Sequence, residues 1–158
     1  MWRSSLEARL DIQPLRADHR QALGLHLLSL NADDRAARFG LALKDEAVLR
    51  WLAGVDWAAQ RGWGAWLPGD GALVAALQLA PTAQAGAWEL AVSVHPLARR
   101  RGVATRLVAT ALAQLPEART LLCHHGHPAL RAIGQRLGCA VRGGADPPRL
   151  MLCLMLQK

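Results

Sequence analysis

Apolar positions change their period several times along this chain, and each change marks an element. "ARLDIQPL" (8–15) alternates Leu10 and Ile12 and then meets Pro14, which predicts a short first strand. In "ADHRQALGLHLLSL", Leu23, Leu27 and Leu30 recur at helical spacing, with Asp18 as a plausible N-cap. "NADDRAARFGLA" is polar and then turns at Gly40. "KDEAVLRWLAGVDWAAQRG" places Val48, Trp51, Leu52 and Val55 on one face, predicting a second helix closed by Gly62.

The pattern then shortens. "GWGAWLPGDGALVAALQLAP" predicts two strands about the turn at 68–71, a hairpin. "AGAWELAVSV" sets Trp88, Leu90, Val92 and Val94 against Glu89, Ala91 and Ser93, a strand with one polar side. After "HPLARRRG" comes a helix aligning Val103, Leu107, Ala111 and Leu115, stopped by Pro116. "ARTLLCHH" predicts a strand. "HPALRAIGQRLG" predicts a helix facing Leu130, Ile133 and Leu137 inward and ending at Gly138. "CAVRGG" and "RLMLCLMLQ" are two last strands. The order β-α-α-β-β-β-α-β-α-β-β predicts an α/β sheet with helices on its faces. The unit from Trp88 to His124 is a right-handed crossover candidate. No repeat or linker divides residues 1–158, so one domain is expected.

Composition agrees with a folded domain: 52% hydrophobic and 20% charged. No stretch approaches the ~20 apolar residues of a membrane span. The first residues have no apolar core like that of a signal peptide. Cys123, Cys139 and Cys153 are scattered among apolar neighbours, which suits buried thiols and a reducing cytoplasm. The net charge of +7 is unevenly spread. Residues 1–70 hold nine Lys+Arg against nine Asp+Glu, whereas 71–158 hold ten against three. The excess therefore sits with the run Arg99-Arg100-Arg101 and fits an anionic partner there, or a solubility charge without a ligand.

That run joins a strand to a helix. The first turn of a helix has unpaired N–H groups and the positive end of the macrodipole, worth about 0.3–1 kcal/mol to a nearby anion. Gly102 has no Cβ and Ala104 is small, so a phosphate can approach the backbone. Neither a Walker loop nor the dinucleotide fingerprint is present.

Arg99-x-x-Gly102-x-Ala104, following Val92-Ser93-Val94-His95-Pro96, resembles motif A of the GNAT superfamily of acetyltransferases, whose pattern [Q/R]-x-x-G-x-[G/A] lies at the same junction. The resemblance implies a mixed, mostly antiparallel sheet of about seven strands flanked by about four helices. It implies acetyl-CoA as cosubstrate, with the pyrophosphate on the N–H groups of Arg100, Arg101, Gly102, Val103, Ala104 and Thr105. The pantetheine would lie beside Val92–Val94, and His127 stands where the family often has an asparagine that meets the cofactor. A narrower similarity, through Arg35, Arg38 and Phe39 and the strand bearing Glu89, is to the branch containing bacterial protein lysine acetyltransferases.

An attacking amine must lose a proton, and a placed base contributes roughly 10²–10⁴ in rate. Glu89 is the only acidic residue between Asp70 and Glu117, and it interrupts an apolar strand. That marks it as general base, against a structural carboxylate paired with an arginine. The lysine acetyltransferase branch has its catalytic glutamate at this place. Many family members protonate the leaving thiolate with a tyrosine. This chain contains none, and Gly134 falls at that position.

The histidines of "CHHGHP" lack finger spacing, so no metal is expected. Trp63 and Trp66 are read first as core and second as the border of an acceptor pocket. The expected acceptor is an amine, either a small molecule or a protein lysine. Nucleic acid is not expected, since stacking aromatics and a known binding motif are missing. A non-catalytic acyl-CoA-binding module is the alternative. A monomer or a homodimer is expected, the latter through the apolar last strand.

Overall fold

A computed structural model describes residues 9–69, 71–123, 128–143 and 150–154. Seven strands form one sheet: β1 (Asp11–Pro14), β2 (Arg61–Trp66), β3 (Leu73–Pro81), β4 (Ala87–Val94), β5 (Thr120–Cys123), β6 (Cys139–Gly143) and β7 (Leu150–Leu154). Their order is β1-β2-β3-β4-β5-β7-β6, and every pairing is antiparallel except β4 with β5. Five α-helices accompany it: α1 (Arg20–Leu28), α2 (Ala32–Phe39), α3 (Asp45–Ala53), α4 (Val103–Gln114) and α5 (Pro128–Arg136). The expected mixed, mostly antiparallel sheet is present, with α4 as the crossover between the parallel pair.

The central strand β3 is buried from Leu73 to Leu79 because both faces of the sheet are covered. On one face Leu77, Leu79 and Leu90 meet Leu107, Val108 and Leu121 around α4. On the other, Leu73 and Ala76 meet Leu23, Leu27, Val48 and Leu52 of α1 and α3. Fully burying one such side chain stabilises the fold by about 1.5–3 kcal/mol.

Four expectations need correction. The polar segment before Gly40 is a helix, α2, which makes the fifth. Asn31 caps it by accepting from the Asp34 N–H at 2.8 Å, and Gly40 closes it at φ 82°. α3 ends at Gly54 rather than Gly62. Asp56 then holds a turn by accepting from the N–H groups of Ala58 and Ala59. Gly62 lies in β2, where a Cβ would stand 3.1 Å from that of Leu15. Asp18 makes no cap bond; it sits in a 3₁₀ turn whose His19 ring accepts from the Arg16 N–H at 3.0 Å. Lastly, β7 lies between β5 and β6, so it has no open edge for pairing across a dimer.

One irregularity in the sheet lies beside the cleft. β4 pairs with β3 from Trp88 to Val94, yet its pairing with β5 covers only Ala87–Glu89. From Leu90 onward the β5-facing edge of β4 has no strand partner among the described residues.

Candidate active site

The junction after β4 turns twice into the left-handed region. Arg100 has φ 60° and Gly102 has φ 71°. Arg100 is the only non-glycine residue among those described with positive φ. A Cβ on Gly102 would meet nothing within 4 Å, so the glycine is demanded by its backbone conformation rather than by crowding. Gly102 caps α4, and its carbonyl accepts the first helical bond, from the Arg106 N–H at 3.0 Å. The N–H groups of Val103, Ala104 and Thr105 precede that bond and remain for an anion.

The three arginines differ in placement. Arg99 donates to the Val94 carbonyl at 3.1 Å and pairs with Asp34 of α2 at 2.6 Å, tying the junction to the opposite wall. Arg100 lines the cleft. Arg101 is exposed and stands outside it.

The cleft, of about 1000 Å³, runs from the N-terminus of α4 along the open edge of β4 to α2 and α3. It brings together Glu89, Val92, Ser93, Val94, Arg99 and Arg100 with the first turn of α4 from Gly102 to Thr105. His127, with His124 and His125, lies outside the described residues. Glu89 is exposed on the cleft wall, so it bears no cost of enclosure in an apolar strand, which had been one reason to single it out.

Other cleft groups were less visible in the sequence. Ser93 is buried and lies 2.9 Å from Nε2 of His26 on α1. Burial, the nearby His95 and, more weakly, Arg38 lower the His26 pKa to about 4, while the Ser93 backbone opposes them. The imidazole is therefore neutral at pH 7. Its Nδ1 has no partner among the described residues. A buried N–H left unpaired is rarer than an unpaired acceptor, so the proton belongs on Nε2, donating to Ser93. The serine O–H is then left to donate into the cleft. His95 is also held below its ordinary range by desolvation and then Arg99, with Asp34 opposing.

Gln78 is buried in β3, and its position was marked in the sequence only as the lone amide in "LVAALQLA". It accepts from Arg38 at 2.6 Å. Trp51 lines the cleft. Trp63 is core, its Nε1–H bonded to Gln114 at 2.7 Å, and Trp66 packs beside the second cluster. α2 contributes Ala37, Arg38 and Phe39 to the cleft wall, and β3 contributes Ala80. Arg35, by contrast, is structural: it donates to the carbonyls of Leu28, Leu30 and Leu43 and pairs with Asp45 at 2.8 Å.

The model of the acetyltransferase (GNAT) family matches residues 27–138, more than half of the chain. The chain belongs to the GNAT family. Its fold is similar to the GNAT domain of PAT from S. lividans, with TM-score 0.70 and 19% identity, covering 92% of this chain and 90% of that one. It is also similar to a phosphinothricin acetyltransferase from Sinorhizobium meliloti in complex with AcCoA (TM-score 0.67, 13% identity, 93% and 89% covered). A third is spermidine N-acetyltransferase from Vibrio cholerae in complex with CoA and spermine (TM-score 0.66, 14% identity, 91% and 95% covered). No curated protein matches the sequence at a significant level.

Two features distinguish this GNAT site. Gly134, where the resemblance puts a tyrosine, is buried within α5 and offers no hydroxyl. Cys123 lines the cleft, but burial pushes its thiol up to about 12. It is not a thiolate at neutral pH, and that argues against a covalent acyl-cysteine route. Among the described residues no group of three His, Cys, Asp or Glu side chains could hold a metal ion, and no helix is long and apolar enough to cross a membrane.

Proposed function

We propose that this chain transfers an acetyl group from acetyl-CoA to a primary amine by direct attack, with Glu89 as general base. The observation that carries this reading is the continuity of the cleft from the N-terminus of α4 to Glu89. The cofactor suits the residues present. Its phosphates meet the free N–H groups of Val103, Ala104 and Thr105 and the Arg100 side chain. Its pantetheine amides meet the backbone of β4 beyond Glu89, the last position paired with β5. Solved GNAT structures holding AcCoA or CoA support the same donor.

The amine nitrogen attacks the thioester carbonyl, and Glu89 accepts its proton directly or through water. The new N–C bond forms, the C–S bond breaks, and CoA leaves as the thiolate to be protonated by solvent. The Ser93 hydroxyl, turned to the cleft by His26, is a donor for the bound acyl-pantetheine. The acceptor is a small-molecule amine or a protein lysine. A cytoplasmic setting suits the free, buried Cys123 and Cys139.

An acetyl-CoA turnover assay over a panel of amines, reading free thiol, tests this. Thiol release that depends on an amine supports transfer. Tight acetyl-CoA binding without turnover for any acceptor supports instead a non-catalytic acyl-CoA-binding module, a reading favoured by the glycine at 134.

A further inference from the structure

The far end of the cleft has a chemistry of its own, and it is cationic. Arg38 stands on α2 one turn beyond Asp34. Its guanidinium carbon lies 4.7 Å from the centre of the Phe39 ring and 4.9 Å from that of Trp51. One nitrogen donates to Oε1 of Gln78 at 2.6 Å, and Gln78 donates onward to Gln60 at 3.3 Å. A guanidinium carries five N–H donors. The bond to Gln78 is the only one its side chain makes among the described residues. No carboxylate there comes within ion-pair distance of it, since Asp34 is paired with Arg99 and Asp45 with Arg35.

A half-buried guanidinium without a counter-ion is costly. Burial lowers its pKa to about 10, which still leaves it charged at pH 7. The phosphates of acetyl-CoA are directed to the other end of the cleft, at the start of α4. The anion that suits Arg38 must therefore arrive on the acceptor. A polyamine, or a lysine among basic neighbours, would bring further positive charge to it.

The register supplies the rest. Gln78 of β3 stands opposite Ala91 of β4, and Glu89 is two residues along, on the same face of the sheet. We propose that the acceptor is a small amine of the amino-acid class, whose carboxylate is gripped by Arg38 beside Gln78 and whose amine is thereby directed to Glu89. The rings of Phe39 and Trp51, with Leu43, give its side chain an apolar wall. This rests on the N-acetyltransfer reading above and narrows its acceptor.

The test compares matched pairs that differ only in the carboxylate: leucine with isoamylamine, and phenylalanine with phenethylamine. The wild-type enzyme is expected to favour the carboxylate-bearing member by at least about tenfold in kcat/KM. Arg38→Met is expected to reduce that preference to within about threefold while acetyl-CoA affinity, read by calorimetry, stays close to wild type. Equal or better use of the decarboxylated amines by the wild-type enzyme overturns the proposal, whatever the variant does. Weakened acetyl-CoA binding in the variant with the preference intact also overturns it, and assigns Arg38 to the cofactor. If no amine turns over, calorimetry of leucine and phenylalanine on the CoA-loaded protein separates the two readings. Carboxylate-dependent binding lost in Arg38→Met sustains this proposal while acetyl transfer fails, and no such binding overturns this proposal as well.

Discussion

Acidification should destabilise this protein through one imidazole. His26 is 3% exposed, wedged between α1 and the sheet beside Ser93. Its pKa is about 4 in the folded protein against 6.5 for the free side chain, because burial and, less strongly, the neighbouring His95 and Arg38 oppose its charging. Above pH 6.5 the ring is neutral in both folded and unfolded chains, and pH leaves the balance unchanged. Between 6.5 and about 4 the unfolded chain binds a proton that the folded one refuses, so stability falls as pH falls. Below about 4 both forms bind it and the loss is complete. At about 1.4 kcal/mol per pH unit, the whole interval amounts to about 3 kcal/mol, a large part of the ~5–15 kcal/mol that holds a domain folded. His95 is shifted in the same direction, with Arg99 and Asp34 acting on it in opposite senses. Urea unfolding followed by tryptophan fluorescence, at about pH 7 and about pH 4.5, measures the effect. The comparison is His26→Gln, which keeps a hydrogen-bonding group towards Ser93 and does not titrate. Wild type should lose about 2–3 kcal/mol more than the variant between the two conditions. Equal losses would refute the argument and place the acid sensitivity elsewhere.

Three other outcomes are expected. Glu89→Gln should lower turnover at least about tenfold while acetyl-CoA affinity changes by less than about twofold; unchanged turnover removes Glu89 from the mechanism. Gly102→Val forces a β-branched residue to φ 71° at the start of α4 and should weaken acetyl-CoA binding by about tenfold or more in calorimetry. Wild-type affinity in that variant would put the phosphates elsewhere. Arg35→Met abandons three backbone carbonyls and Asp45 and should cost about 3–5 kcal/mol in urea unfolding, whereas a cost below about 1 kcal/mol would mean that water replaces the guanidinium.

The elements that were legible are those whose signals are local. The alternation of β4, the periodicity of α4 and the glycine before it could each be read from neighbouring residues. α2 was missed for want of a broad apolar face. Its markers were present nonetheless: Asn31 at the cap, Asp33 and Asp34 in the first turn, Gly40 at the end. Trp51 was readable as one side of a helix, but not as the wall of a cleft.

By itself the sequence determined the α/β character and most of the succession of elements along the chain, and it pointed to the start of α4 as a place for an anion, because period, turn chemistry and helix polarity act over a few residues. Only the tertiary structure decided what meets at the end of the cleft away from α4. Arg38 and Gln78 are 40 residues apart in sequence, and His26 and Ser93 are 67 apart. Their meetings depend on how α1 and α2 settle on one face of the sheet. The structure also decided that Arg99 is held by Asp34, that Arg101 stands aside, and that Glu89 is exposed at the last position where β4 pairs with β5. None of these carries a local signature, since burial and pairing are properties of the packed sheet rather than of any segment within it.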